Sequence, residues 1–334
     1  MKKEIVLAAL GQPENEAINW AIGLLLRQRL EQEGWEGIII LQHLASASPR
    51  LQAWNALFDR ARKALGSPDE LPMKAELLLA NVKIAKFDDA LDDLNAELLG
   101  VLYLAAQGHG SIRFLPEGDD ITVDFESKFA GITYFTEIKN LREPKSLSFV
   151  AFKRWQRNRS ADPQKFSFRA DFVDIDDPFE DLTSEQESAV NALVDGLPDC
   201  QVPSTVTRMF PGGRRIRIRL AEGTPVMIRQ GPGPFLVGPV VEEAQRGLVL
   251  KLLEPARKAL SQLYRSGIPP ESRRLLLVRW KLPEEIAAIG ESESVRTAVH
   301  EQTQGFLRSF FPNFALTIMH NTEDPNEAPK ATWD

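Results

Sequence analysis

Apolar positions near the start of the chain recur every three or four residues, the spacing of one helix face. "NEAINWAIGLLLRQRLEQEG" (15–34) follows that rule and stops on Gly34, and "SPRLQAWNALFDRARKALG" (48–66) opens on Ser48 as a cap, with Pro49 in the first turn, and stops on Gly66. Residues 14 to 65 therefore read as helical, and "GSPDELP" (66–72) reads as a boundary. A longer helix is expected from Ala85 to Gln107, with Phe87, Leu91, Leu94, Leu98, Val101 and Ala105 on one face and Gly108 beyond its end. The period then changes to two. "SIRFL", "ITVDFESKF" and "ITYFTEIK" predict three short strands, followed by the alternating strand "FSFRADFVD". Ser184 and Glu187 fit a capping box for a helix from Leu182 to Asp195, and "TVTRMFPGGRRIRIRL" folds back on Pro211-Gly212-Gly213 as a hairpin. A helix from about Glu242 to Tyr264, the buried-type strand "RRLLLVRW", a helix near 292–309 and the strand "FALTIMH" complete the pattern; the polar tail "NTEDPNEAPKATWD" is expected to be disordered.

These elements predict a mixed α/β protein with a helical module over 1–80, a mixed domain over 81–290 carrying an α+β insertion at about 141–240, and a C-terminal piece over 291–334. Composition keeps the chain among soluble globular proteins: hydrophobic residues make up 43% and charged residues 26% of 334. No apolar run is long enough for a bilayer, so no membrane partner is expected. The single cysteine, Cys200, excludes an intramolecular disulfide, and the scattered His43, His109, His300 and His320 lack zinc-ligand spacing. A reducing, cytoplasmic setting fits both observations. A net charge of -7 argues against whole-surface binding to nucleic acid, though not against a local basic channel.

The segment "DITVDFESKFAGITYFTEIKN" (120–140) carries the chemistry. If the chain reverses at Ala130-Gly131, Phe129 pairs with Ile132, Asp124 falls opposite Glu137 and Thr122 opposite Lys139. Asp124, Glu137 and Lys139 then share one face, and Ile121, Val123, Phe125, Phe129, Ile132, Tyr134 and Ile138 form an apolar face behind them. A two- or four-residue loop preserves this register, whereas a three-residue loop sends Asp124 to the other face. Alanine resists the positive φ that a tight type I′ turn demands at its first position. Opposed carboxylates repel, and a divalent cation between them turns repulsion into ligation; Mg²⁺ or Mn²⁺ takes hard oxygens, often one or two carboxylates with water and phosphate. Lys139 would orient or help deprotonate the attacking water, or balance charge on a phosphate. On a helical wheel Glu97 falls at the edge of the apolar face, beside Ala90, Val101 and Leu104, and Asp89 and Asp93 lie further toward solvent.

A helix glutamate, then an aspartate, then Glu-x-Lys after a hairpin resembles the PD-(D/E)XK phosphodiesterase superfamily, the restriction-endonuclease-like fold. The likeness covers about 85–140 together with the helix and strand at 242–281, which would complete an α-β-β-β-α-β core. It implies that Asp124 and Glu137 bind Mg²⁺ or Mn²⁺ with the Ile138 carbonyl and support from Glu97, that Lys139 assists the water, and that Gln262 is the glutamine some members carry on the following helix. Val123 stands where the motif name has proline. The expected activity is hydrolysis of nucleic-acid backbone phosphates, with DNA ahead of RNA. The alternatives are a catalytically silent nuclease-like module that binds nucleic acid or protein, and an interaction protein acting through its helical module. A homodimer is compatible with either. Two basic stretches are candidates for holding a polyanion: Arg215, Arg217 and Arg219 on one face of "RRIRIRL", and Lys153, Arg154, Arg157 and Arg159 around Trp155 in "FKRWQRNR", where Trp155 would stack on a base or sugar. Each charged row is equally compatible with the wet side of an ordinary element. "GPGPF" (231–235) reads as a turn, since its prolines cannot donate to a phosphate.

Overall fold

The computed structural model of the chain describes residues 3–48, 50–115, 123–141, 147–161, 169–175, 182–197, 204–221, 227–230, 239–265, 267–280, 293–320 and 330–331. Helices α1 (Lys3–Leu10), α2 (Glu16–Arg29), α3 (Ile39–Ala45), α4 (Arg50–Ala64), α5 (Glu70–Leu79) and α6 (Ile84–Ala106) come first. Strands β1 (Gly110–Phe114), β2 (Phe125–Phe129) and β3 (Ile132–Leu141) follow. Then come α7 (Leu147–Ala161), β4 (Arg169–Asp174), α8 (Ser184–Asp195), β5 (Ser204–Met209), β6 (Arg215–Ala221) and β7 (Met227–Gln230). The chain closes with α9 (Pro239–Arg265), β8 (Arg273–Trp280), α10 (Glu293–Arg308), β9 (Phe314–His320) and the stub β10 (Lys330–Ala331). The protein is thus mixed α/β, and no described helix is long and apolar enough to cross a membrane.

The chain forms two compact units. The first comprises Met1–Leu141, Leu252–Lys281 and His300–Asp334, and the second Arg142–Lys251 and Leu282–Val299. In the first, a six-stranded sheet runs β1-β2-β3-β8-β9-β10. Its first three strands are antiparallel, β3, β8 and β9 are parallel, and β10 returns antiparallel. Phe58, Leu71, Phe87 and Leu94 of the helices join Phe125, Ile138 and Leu277 of the sheet in one hydrophobic core. The boundary expected near residue 80 accordingly does not separate compact units. The apolar faces of α4 and α5 are covered by α6 and the sheet, and that shared burial is what holds the first six helices in place. At Gly100 α6 comes close to the sheet: a Cβ there would stand 3.0 Å from Ile138 Cδ1 and 3.4 Å from a ring carbon of Phe125. The tail is not wholly without structure, since Lys330 and Ala331 pair with His320 and Met319 of β9.

The β2–β3 hairpin turns through two residues, Ala130 at φ 48° and Gly131 at φ 80°, the pair of positive angles that a type I′ turn requires. Phe129 pairs with Ile132, Ser127 with Tyr134 and Phe125 with Thr136, so Asp124 continues the ladder at the level of Glu137. Behind the hairpin the covered face is more polar than the expected apolar row. Ser127 and Thr136 are fully buried there, while Phe129 and Ile132 near the turn are exposed. Thr122, expected opposite Lys139, and Ile121 lie outside the described residues.

In the second unit a four-stranded sheet, β5-β6-β4-β7, packs with α7 and α8 around Trp155, Phe172, Val190, Ile216 and Ile218. Trp155 is fully buried, so the expected base-stacking role is overturned: the indole is the largest side chain of this core. Arg154 forms a paired contact with Asp195, Nε and Nη2 each 2.6 Å from a carboxylate oxygen, which ties α7 to α8. The capping box of α8 falls one residue earlier than expected. The Thr183 side chain accepts from the Gln186 N–H, and the Gln186 side chain accepts from the Thr183 N–H. Cys200 and "GPGPF" (231–235) lie outside the described residues.

Candidate active site

The first unit gathers Glu97, Asp124, Glu137, Lys139 and Gln262 from four stretches of chain. Glu97 comes from the middle of α6, Asp124 from the residue before β2, Glu137 and Lys139 from alternate positions of β3, and Gln262 from the last turn of α9. Period two puts Glu137 and Lys139 on the side of β3 away from Ile138, whose side chain packs toward Gly100 of α6. The Ile138 N–H donates to Asp124 Oδ2 at 2.7 Å, fixing that carboxylate across the strands. The Lys139 ammonium donates to Glu137 Oε1 at 2.6 Å and to Gln262 Oε1 at 3.3 Å. Lys139 and Gln262 line a cavity of about 620 Å³ whose other walls are Glu254, Pro255, Arg257, Lys258 and Ser261 of α9. Gln262 therefore acts here as a partner of Lys139.

Burial makes this cluster electrostatically unusual. Glu137 is only 2% exposed, and its Oε2 has no hydrogen-bond partner among the described residues. Burial, reinforced by the negative charge of Asp124, pushes its carboxyl up to about 8 against the opposing pull of Lys139. Glu97, 7% exposed, is driven well above the usual carboxylate range by burial and by Asp124. Three mutually repelling acids in one buried place need positive charge, and two ammonium groups supply part of it.

The second ammonium belongs to Lys74, which the sequence reading missed. It projects from α5, with Nζ 3.1 Å from Glu97 Oε2 in an ion pair without hydrogen-bond alignment and 4.0 Å from Asp124 Oδ1. Its side chain is 4% exposed. A signal was present: Leu71, Lys74, Ala75 and Leu79 fall on one helical face, where a lysine is out of place unless it meets an acid. A second polar cluster also escaped. Asn140 Nδ2 donates to Asp92 Oδ2 and Asp93 Oδ1, both at 3.0 Å, while buried Arg279 of β8 donates to the Asp92 carbonyl at 3.0 Å and to its Oδ1 at 3.1 Å. This clamp fastens α6 to β3 and β8 and so fixes the level of Glu97; it also gives Asp93 a partner where solvent was expected.

The donor set suits a hard divalent ion. Asp124 and Glu137 offer carboxylate oxygens, one of them buried and without a hydrogen-bond partner, and Mg²⁺ commonly uses one or two carboxylates with water and phosphate completing the shell. Among the described residues no group of three or more His, Cys, Asp or Glu side chains is placed to hold a metal ion, so an ion here would rest on two carboxylates and on ligands from outside the protein side chains. The arginine row of β6 has a different environment. Arg215 and Arg219 are exposed and Arg217 is half-buried, on the face opposite buried Ile216, Ile218 and Leu220. Arg157 is exposed on α7, and the side chains of Lys153 and Arg159 lie outside the described set. No family model matches the chain, and no curated protein or solved structure is significantly similar to it.

Proposed function

We propose that the protein is a divalent-metal-dependent phosphodiesterase, a nuclease acting on the phosphate backbone of nucleic acid. The observation that carries this reading is the pair of carboxylates, half-buried Asp124 and buried Glu137, set beside Lys139, which lines a cavity edged by Arg257 and Lys258. The element order α6-β1-β2-β3-α9-β8, three antiparallel strands joined in parallel by β8, adds support because it follows the α-β-β-β-α-β order that the resemblance implies. Asp124 and Glu137 would hold Mg²⁺ or Mn²⁺, with Ile138 contributing its carbonyl. When bound, the ion would supply a water of lowered pKa and neutralise phosphate charge. Lys139 is shared between Glu137 and Gln262 and borders the cavity, so its ammonium can meet a phosphoryl oxygen while remaining tied to the site. Gln262 keeps that ammonium in place, and Glu97 stands behind Asp124 as a third carboxyl group, paired with Lys74. Incubation of single-stranded DNA, duplex DNA and RNA with Mg²⁺ or Mn²⁺ should give cleavage of at least one substrate, reduced about 10²-fold or more in Lys139→Ala. Undiminished cleavage by that variant would remove the mechanism.

The position of Lys74 favours a second reading, a silent nuclease-like module whose acids are neutralised internally. It expects binding of nucleic acid without cleavage of any of the three substrates.

A further inference from the structure

We propose that Lys74 is a built-in counter-ion standing in the cation position of the site, and that a divalent metal enters by exchange with its ammonium. This deepens the metal-dependent reading and rests on it. Three observations lead here. First, Lys74 is buried and touches the acids themselves, 3.1 Å from Glu97 and 4.0 Å from Asp124, while Lys139 serves Glu137. Second, among the described residues three carboxylates meet two ammoniums here, and the buried Glu137 Oε2 has no hydrogen-bond donor among them. A divalent cation would balance these described acids better than an ammonium does. Third, Lys74 is held by a flexible stem from α5, with the Phe114 ring 5.7 Å from its ammonium as a second resting place. A monovalent ammonium among oxygens that suit a divalent ion is a competitor of that ion, because both draw on the same negative charge.

Metal affinity should therefore be set by α5 as well as by the hairpin. Loading would withdraw the Lys74 ammonium from Glu97 and Asp124 and leave Lys139 with Glu137 and Gln262. Without metal the Lys74 ammonium would keep the site closed, since unpaired carboxylates on α6 and the hairpin would repel one another.

The test is Mn²⁺ binding, read by calorimetry and by thermal melting, for wild type, Lys74→Gln and Lys74→Arg. Lys74→Gln should bind Mn²⁺ at least about tenfold tighter than wild type, with a lower metal-free Tm and a larger Mn²⁺-induced rise, while Lys74→Arg should gain no affinity. Equal or weaker binding by Lys74→Gln would overturn the inference and leave the metal site standing. Absence of binding in wild type and in folded Lys74→Gln would overturn the metal-dependent reading with it. Acetic anhydride labelling of the wild-type protein, followed by peptide mapping, keeps the question answerable if Lys74→Gln does not fold. Lys74 should be protected without metal and become reactive with Mn²⁺, whereas labelling that Mn²⁺ leaves unchanged would rule out exchange.

Discussion

Two hairpins in this chain carry charged residues at alternate positions opposite buried ones, and they differ in what those charges meet. In β5–β6 Arg215 and Arg219 of the charged face are exposed and Arg217 is half-buried, and the turn at Pro211-Gly212-Gly213 closes with two glycines at positive φ. In β2–β3 the charged face lies next to α9 and reaches the acid and lysine of α6 and α5, and the turn places an alanine at positive φ. A charged row facing water costs little and reveals little, since exposed ion pairs contribute about 0 to 1 kcal/mol. Like charges buried together are expensive, and carboxyls perturbed in this way cluster at functional sites. The difference between the hairpins is therefore burial, which period-two patterning alone does not express.

The largest expected contrast is in catalysis. Glu137→Ala should bring cleavage to background, while Arg219→Ala changes the rate by less than about threefold; equal losses in the two variants would move the functional surface toward β6. Next is Trp155→Ala, which should destabilise the second unit by about 3–5 kcal/mol through loss of a buried indole, with Mn²⁺ binding unchanged. Loss of nucleic-acid affinity at unchanged stability would restore the stacking role rejected above.

The two hairpins should also respond differently to pH. Glu137 keeps its proton in the folded, metal-free protein up to about pH 8, whereas its unfolded counterpart loses it near 4.5. Over that window the unfolded state binds fewer protons, so metal-free stability falls as pH rises and levels off above the folded value. Hydrogen exchange of β2 and β3 should accelerate across that window, and saturating Mg²⁺ should suppress the change; β5 and β6 should show no such metal-sensitive acceleration. The smallest effect belongs to the turn. Ala130→Gly should stabilise the β2–β3 hairpin by about 1 kcal/mol in urea denaturation, because glycine accepts the φ of 48° without a Cβ clash.

Much of the hairpin was legible because strand alternation is strict: once Phe129 is set opposite Ile132, Asp124 and Glu137 must meet, and a two-residue loop is one of the lengths that preserve the pairing. Glu97 was legible for a similar reason, as an acid at the border of a long, regular apolar face. Lys74 was not seen, because "GSPDELP" looked like a boundary and no helix was read over 70–79, the span of α5. Its apolar face has meaning only once α6 and the sheet are known to cover it. Trp155 was misread for the complementary reason: four basic neighbours in sequence suggested an exposed surface, while helical period turned the indole inward. Local pattern specifies faces, and long-range packing decides which faces are wet.

Titration calorimetry of Mn²⁺ into wild type and Asp124→Ala tests the central claim most directly, since Asp124 is the acid whose charge acts on both Glu97 and Glu137. A saturable heat in wild type that disappears in Asp124→Ala is the predicted result; equal heats in the two proteins would contradict the metal site and the phosphodiesterase reading built on it.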